Sequence, residues 1–164
     1  MVRNDFLDSM KAFTEDAVKD YILPVRRQDT TETQEYRCAA VYKMRLPDSR
    51  SAQKKAPYII HQIVTADDAQ TEGELVKSSL LLRSIFCVYS ADEQEGALML
   101  LELMERFRVK LLRTRVLDKR YALDLTASAM QSLIYPDDTA PYFAGEIATT
   151  WLMPAINREV PQWL

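Results

Sequence analysis

The stretch that decides the fold is Ser78–Leu112, which reads SSLLLRSIFCVYSADEQEGALMLLELMERFRVKLL. Its first part, Ser78–Ser90, is mostly apolar and gains β-branched and aromatic residues toward its end. Such a composition is typical of a central strand that is covered on at least one face. The acidic segment that follows suits the positive end of a helix dipole, and Ser90 or Asp92 can accept hydrogen bonds from the first free N–H groups. The stretch therefore predicts a strand that leads directly into a helix.

The predicted helix runs from about Asp92 to about Leu112, roughly five to six turns. Apolar residues at spacings of three and four form one stripe, which is wide enough to cover one face of a sheet. Glu102, Glu105 and Arg106 fall on the opposite side, and basic residues gather at the C-terminal end, where the helix dipole favours them. The apolar stripe consists of Leu100, Leu103, Met104, Phe107 and Leu111.

Further segments with regular patterns lie on both sides of this central unit. Asp5–Tyr21 has the apolar periodicity of an amphipathic helix. Strand-like patterns occupy Tyr36–Leu46, Tyr58–Thr65, Tyr121–Leu125 and Tyr142–Met153, whereas Ala127–Tyr135 is ambiguous. The order predicts an α+β fold, in which a largely antiparallel β-sheet packs against a long central helix and an N-terminal helix. The length of 164 residues favours a single α+β domain over residues 1–164.

The composition is that of an ordinary soluble globular protein, with 48% hydrophobic and 27% charged residues. A net charge of −3 argues against a protein that coats nucleic acid, and the 3 glycines argue against phosphate-binding loops. The N-terminus lacks an apolar signal core, and no apolar run approaches the ~20 residues of a membrane span. We therefore expect a protein that is folded or assembled in the cytosol, without a membrane or a specific nucleic acid as partner.

The residues with catalytic potential form no persuasive constellation. Cys38 and Cys87 both lie in apolar strand-like runs, which predicts two buried thiols in a reducing compartment. His61 and Cys87 could meet across neighbouring strands as a nucleophile pair, but both lie in core-like runs, so we favour a structural interpretation. We assign no catalytic residue, no cofactor and no metal ligand, and the sequence favours a protein without enzymatic activity.

Two polar connections are candidates for contact with neighbouring subunits or other partners. Pro47–Pro57 is basic and has almost no apolar anchor, which predicts a solvated, mobile loop or one that orders on a partner. Ala66–Glu74 is acidic and predicts a hairpin-like turn, because its spacing does not match a calcium-binding loop. The candidate contact residues are Arg50, Lys54 and Lys55 in the first connection and Asp67, Asp68, Glu72 and Glu74 in the second.

Three stretches carry a resemblance to a known group of proteins. They are APYII at Ala56–Ile60, IFCVYS leading into DEQEG across Ile85–Gly96, and PYFAGEI at Pro141–Ile147, followed by Trp151 and Pro154. Together they resemble the small α+β proteins encoded among the head-completion and tail genes of tailed bacteriophages and prophages. Within that group the chain is most similar to tail terminator, or tail completion, proteins. The resemblance spans roughly residues 57 to 154 and consists of patterns of residue type.

The resemblance implies a structural protein of the virion tail or neck, assembled in the bacterial cytoplasm. Tail terminators form hexameric rings that cap the growing tail tube, stop further subunit addition and offer their other face to the head. The implied partners are further copies of the chain, the tail-tube protein and a head connector or neck protein, with DNA passing through the ring. Acidic loops facing such a channel would repel passing DNA. The alternatives are another phage neck or head–tail connector component, a cytosolic protein-binding module and a small α+β enzyme.

Overall fold

The computed structural model describes residues 2–29, 31–48, 55–136 and 139–159. Within this part, helices and strands confirm the predicted α+β class and the two predicted helices. The elements are α1 (Val2–Val18), β1 (Leu23–Pro24), β2 (Tyr36–Arg37), β3 (Ala40–Lys43), β4 (Tyr58–Ala69), β5 (Lys77–Tyr89), α2 (Glu93–Thr114), β6 (Val116–Leu117), β7 (Tyr121–Asp124), β8 (Gln131–Ile134) and β9 (Tyr142–Leu152).

One large sheet contains strands β3 to β9, in the order β3-β4-β5-β9-β7-β6, with β8 paired to β9 as well. Its pairings are antiparallel except for β3 with β4, which run parallel. Strands β7 and β8 lie one after the other along the same edge of β9. Strands β1 and β2 form a separate two-stranded ribbon. The sheet is thus largely antiparallel, as the sequence predicts, and β5 lies inside it.

Strand β5 and helix α2 form the centre of the molecule. Alternate residues of β5 from Leu80 to Val88 are buried, and all five members of the predicted apolar stripe of α2 are buried in the same core. The Asp92 side chain caps the helix, because it accepts a hydrogen bond from the N–H of Glu95 at 3.0 Å. Ser90, the other predicted cap, instead accepts a bond from the N–H of Asp92 at 3.2 Å.

The large sheet has two unlike faces. Both helices pack on one face, here called the inner face, where Phe86, Phe107 and Trp151 are fully buried. Neither helix covers the opposite, outer face. A smaller apolar cluster lies at one end of that outer face and consists of Leu46, Ala56, Tyr58, Ile60, Cys87 and Tyr142.

The predicted strand Tyr36–Leu46 is divided into β2 and β3. Arg37 lies at the break, and its guanidinium donates hydrogen bonds to the carbonyl oxygens of Lys55 and Pro57. The chain therefore turns from the small ribbon into the large sheet here, and Arg37 ties this corner to the start of β4. The alternating pattern of Tyr36–Leu46 does not reveal these side-chain hydrogen bonds, so the sequence predicted one continuous strand.

The remaining element boundaries differ from the prediction by a few residues. Helix α1 begins and ends three residues earlier than predicted. Strand β4 continues to Ala69, so the acidic turn is shorter than expected. A bulge interrupts its pairing with β5 between Ile63 and Thr65, and the ambiguous segment Ala127–Tyr135 contains β8. None of the helices within the described ranges is long and apolar enough to cross a membrane.

Candidate functional site

The basic candidates lie mostly outside the part of the chain that the structure describes. Arg50 and Lys54 are outside the described residues. Lys55 is half-buried, and its carbonyl oxygen accepts a hydrogen bond from Arg37. Ala56, which follows, is buried in the outer apolar cluster. The end of this loop is therefore anchored, which corrects the expectation of a connection with almost no apolar anchor.

Two of the acidic candidates belong to a strand rather than to a turn. Asp67 and Asp68 are the antepenultimate and penultimate residues of β4 and lie opposite Ser79 and Ser78 of β5. The Asp68 carboxylate accepts a hydrogen bond from the Ser78 hydroxyl at 2.6 Å and lies 3.4 Å from the guanidinium of Arg3. Their position corrects the predicted hairpin-like turn, because the strand pairing continues through both aspartates.

The described charges of the two candidate groups lie at opposite ends of β4. Lys55 precedes the strand, whereas Glu72 and Glu74 are exposed in the turn that follows it. Because β4 has 12 residues and a strand rises about 3.3 Å per residue, roughly 35 Å separate the two groups. They do not form one site on one subunit, and they would act at two separate edges of the molecule.

A buried polar network lies at the centre of the inner face. His61, Thr14 and Ser84 are each fully buried, and the two ring nitrogens of His61 lie 2.8 Å from the Thr14 and Ser84 hydroxyl oxygens. The Thr14 hydroxyl donates to the carbonyl oxygen of Met10 at 2.7 Å, so it accepts from Nε2–H of His61. Nδ1 then accepts from Ser84, which defines a neutral tautomer. Burial lowers the pKa of His61 from 6.5 to about 3.

The network does not provide a nucleophile with its base. His61 points toward the helices, whereas Cys87 belongs to the cluster on the outer face, so the considered His61–Cys87 pair is separated by the sheet. Burial raises the pKa of the Cys87 thiol to about 11, which leaves it protonated and unreactive near neutral pH. Cys38 is exposed, contrary to the prediction of two buried thiols, because it lies at the break between β2 and β3.

A shallow groove crosses the open part of the outer face. Its volume is about 350 Å³, and it is lined by Val64, Leu81, Arg83, Gln131, Leu133, Glu146 and Ala148. Arg83 and Glu146 form an ion pair at its floor, and Arg83 also donates to the Tyr135 hydroxyl at 3.0 Å. Because these charges already satisfy one another, the groove offers a mixed surface for contact rather than an unpaired group for catalysis.

The strand β8 forms one wall of this groove and is an exposed edge. All four of its residues are exposed, and Leu133 and Ile134 retain 47% and 49% of their accessible surface. In the described part of the chain β8 pairs with β9 alone, so its second edge presents unpaired backbone groups. Edge strands with apolar side chains are templates for pairing with another chain.

The sequence left this edge strand ambiguous, because its signal is weak. The segment QSLI at Gln131–Ile134 contains two β-prone apolar residues, but four residues are too few to separate a strand from a loop by periodicity. In the described residues, no three His, Cys, Asp or Glu side chains gather where they would hold a metal ion. No protein-family model matches this chain, and no curated protein matches it.

Proposed function

We propose that the protein is a non-enzymatic virion assembly protein, a ring-forming tail terminator or tail completion protein. It caps the tail tube and provides the surface for head joining. The exposed edge strand β8 carries the proposal, together with the resemblance of residues 57 to 154 to that family. A strand with open backbone groups and two half-exposed apolar side chains suits repeated contact between copies of one chain.

The ends of the large sheet support a ring rather than a two-fold pair. The sheet order begins with β3 and ends with β6, with β8 beside β9, so its two edges differ in sequence and direction. A contact between two different surfaces of identical subunits is heterologous, and it generates a ring when the rotation closes. In the proposed ring, β8 of each subunit contacts the β3 side of the next.

The separation of the charged candidates supports two different ring surfaces. A growing tube presents an unsatisfied end, and a ring that matches this end on one face without reproducing it on the other blocks the next addition. Lys55 and the turn with Glu72 and Glu74 lie at opposite ends of β4, which suits one basic and one acidic rim. Exposed pairs of this kind set register and orientation more than affinity.

The experiment is deletion of the gene in its source phage or prophage, followed by electron microscopy of tails and a head-joining assay with added protein. We expect tails of irregular, overlong tube that do not join heads, and restored joining when purified protein is added. Normal tails and infectious particles without the gene would reject the proposal.

The edge strand is tested in the same assay with Leu133→Lys/Ile134→Lys, because lysines on an edge oppose strand addition. This variant should remain folded and fail to restore joining. Val116→Lys is the matched control, since Val116 is 46% exposed on β6 and lies beside Ala12 of α1, outside the proposed contacts, and it should restore joining as well as the unmodified protein. Equal rescue by the β8 variant would remove this strand from the proposed interface.

A further inference from the structure

The open side of strand β8 presents the backbone groups of every second residue. The N–H of Tyr135 donates to the carbonyl oxygen of Ala144 at 3.0 Å, so alternate residues of this segment, Leu133 among them, bond to β9. In an antiparallel ladder the intervening residues face the other way. The N–H and C=O groups of Ser132 and Ile134 therefore point away from the sheet, and in the described part of the chain β8 pairs with β9 alone.

Strand β8 lacks the features that protect edge strands from pairing. Its sequence QSLI has no charged residue, and its register with β9 is regular, without a bulge. Within the described ranges, the end of β4 is also an open edge, because after its bulge it pairs with β5 alone, but it carries Asp67 and Asp68. Charges on an edge oppose strand addition. Of these two edges, only β8 is unprotected.

We propose that, in the free protein, β8 pairs with β8 of a second copy across a two-fold axis. A two-fold axis perpendicular to a strand generates an antiparallel pair of copies. The two residues with open backbone groups, Ser132 and Ile134, lie on either side of Leu133. An axis at Leu133 therefore places Ser132 of each copy opposite Ile134 of the other, and the pair makes about four backbone hydrogen bonds.

The neighbouring registers are less favourable than this one. An axis at Ile134 places Ser132 opposite Pro136, which has no N–H to donate. An axis at Ser132 places Ile134 opposite Met130, which precedes the strand and packs against the core of the inner face. The register centred on Leu133 uses both open residues. It also pairs leucine with leucine on the outer face, where this side chain is 47% exposed.

The two-fold pair withholds the surface that the proposed ring uses. Because one strand edge accepts one further strand, a copy that is paired in this way cannot contact the next subunit of a ring through β8. This consequence rests on the proposed function, whereas the pair itself rests on the geometry of β8. The pair is the form of the unassembled protein, and contacts with the tube end shift the balance toward the heterologous ring. A contact of four residues is small, so the pair should be weak enough to open.

Disulfide trapping of the purified protein tests the pair. In a Cys38→Ser background, which removes the exposed native thiol, Leu133→Cys places two thiols across the axis, where the Cβ atoms of directly opposite residues lie about 4.5–5.5 Å apart. Gln131→Cys is the matched control on the same face of the strand, because its two copies lie about 13 Å apart along the pair. With diamide as oxidant, the Leu133→Cys dimer should form at least about tenfold faster than the Gln131→Cys dimer, since only the closer pair approaches disulfide geometry.

A second pair of variants shows whether backbone hydrogen bonds hold the two copies together. Ser132→Pro removes an N–H that points away from β9, so β8 keeps its own pairing, and this change should abolish the Leu133→Cys dimer. Ser132→Ala keeps the N–H and should leave the dimer unchanged, and circular dichroism checks that both variants are folded. Equal rates for Leu133→Cys and Gln131→Cys would overturn the proposal, as would a dimer that Ser132→Pro does not affect.

The head-joining assay separates this inference from the proposed function. The oxidised Leu133→Cys dimer should not restore joining, and the same protein reduced with dithiothreitol should restore it. Joining by the oxidised dimer would overturn the inference that the pair withholds the ring surface, while tail completion would remain supported. Normal tails in the deletion strain would reject tail completion but not the pair that is trapped in solution.

Discussion

At the scale of single residues, His61 connects α1, the large sheet and α2. Its ring bridges Thr14 of α1 and Ser84 of β5 from its own position in β4, and it lies 5.6 Å from the Phe107 ring of α2. Because each polar atom of this network has a partner, the network specifies how α1 sits on the sheet. The sequence favoured a structural role for His61, but it did not indicate that one of its partners, Thr14, lies in a helix 47 residues away.

The low pKa of His61 makes stability depend on pH. The unfolded chain takes up a proton on this side chain near pH 6.5, whereas the folded protein does so only near pH 3. Between these values the unfolded state binds more protons, so the free energy of unfolding falls as the pH is lowered, by up to about 1.4 kcal/mol per unit. Above about pH 6.5 this contribution is constant.

Urea unfolding of the native protein and of His61→Gln at a series of pH values tests this expectation. The variant should be less stable at neutral pH, because it loses a network hydrogen bond, and its stability should decline less steeply below about pH 6.5. Carboxylates also make the stability depend on pH; the pKa of Asp16, for example, is lowered to about 2 by hydrogen bonds from Lys110 and Lys19. Their contribution is the same in both proteins, so it cancels when the stability of the variant is subtracted from that of the native protein. Parallel curves for the two proteins would show that His61 is not the titrating group.

At the scale of elements, the contact between α2 and β9 depends on a residue without a side chain. Gly96 is buried in the first turn of α2, and a Cβ atom placed there would overlap the Phe143 ring of β9. A glycine inside a helix ordinarily costs about 1 kcal/mol relative to alanine. The position therefore exchanges helix propensity for a close approach of the helix to the sheet.

We expect Gly96→Ala to destabilise the protein by about 1–3 kcal/mol, because crowding outweighs the gain in helix propensity. The double variant Gly96→Ala/Phe143→Leu should recover part of this loss, since leucine removes ring atoms at the point of contact. Urea unfolding measures both. The control is Ala97→Gly at the next position, which is exposed. It measures the effect of exchanging alanine and glycine on helix stability without any contact with the Phe143 ring. An increase in stability for Gly96→Ala would contradict the predicted overlap.

The elements that the sequence predicts well are those with long regular patterns. The periodicity of α2 and the apolar run of β5 are strong local signals, so both elements end within two residues of the expected positions. Other features depend on distant contacts. The parallel pairing of β3 with β4 and the separation of His61 from Cys87 follow from strand register, which a single run of residues does not determine. The sequence indicated neither the pairing of Asp67 and Asp68 with β5 nor the exposed edge at β8.

At the scale of the whole molecule, the exposed edge at β8 and the core beneath α2 are separate parts of one subunit. We expect variants at these two places to act independently. Leu133→Lys/Ile134→Lys should abolish tail completion and leave the free energy of unfolding nearly unchanged, whereas Gly96→Ala should lower the free energy of unfolding and keep tail completion under conditions in which it is folded. Because the substituted residues share no contact, their effects on the free energy of unfolding should add. A large loss of stability in the β8 variant would show that this edge belongs to the folding core.

The bulge in β4 has a consequence for which changes of length this strand can accept. Val64 has no partner in the ladder, because Ile63 pairs with Leu82 and Thr65 with the adjacent Leu81. It is 51% exposed beside the outer groove, and the strand keeps the same inner and outer faces on both sides of it. Val64 is in effect an inserted residue that the sheet has absorbed. Deletion of Val64 should therefore reshape the groove while the pairs on both sides of it, and the core behind them, keep their register.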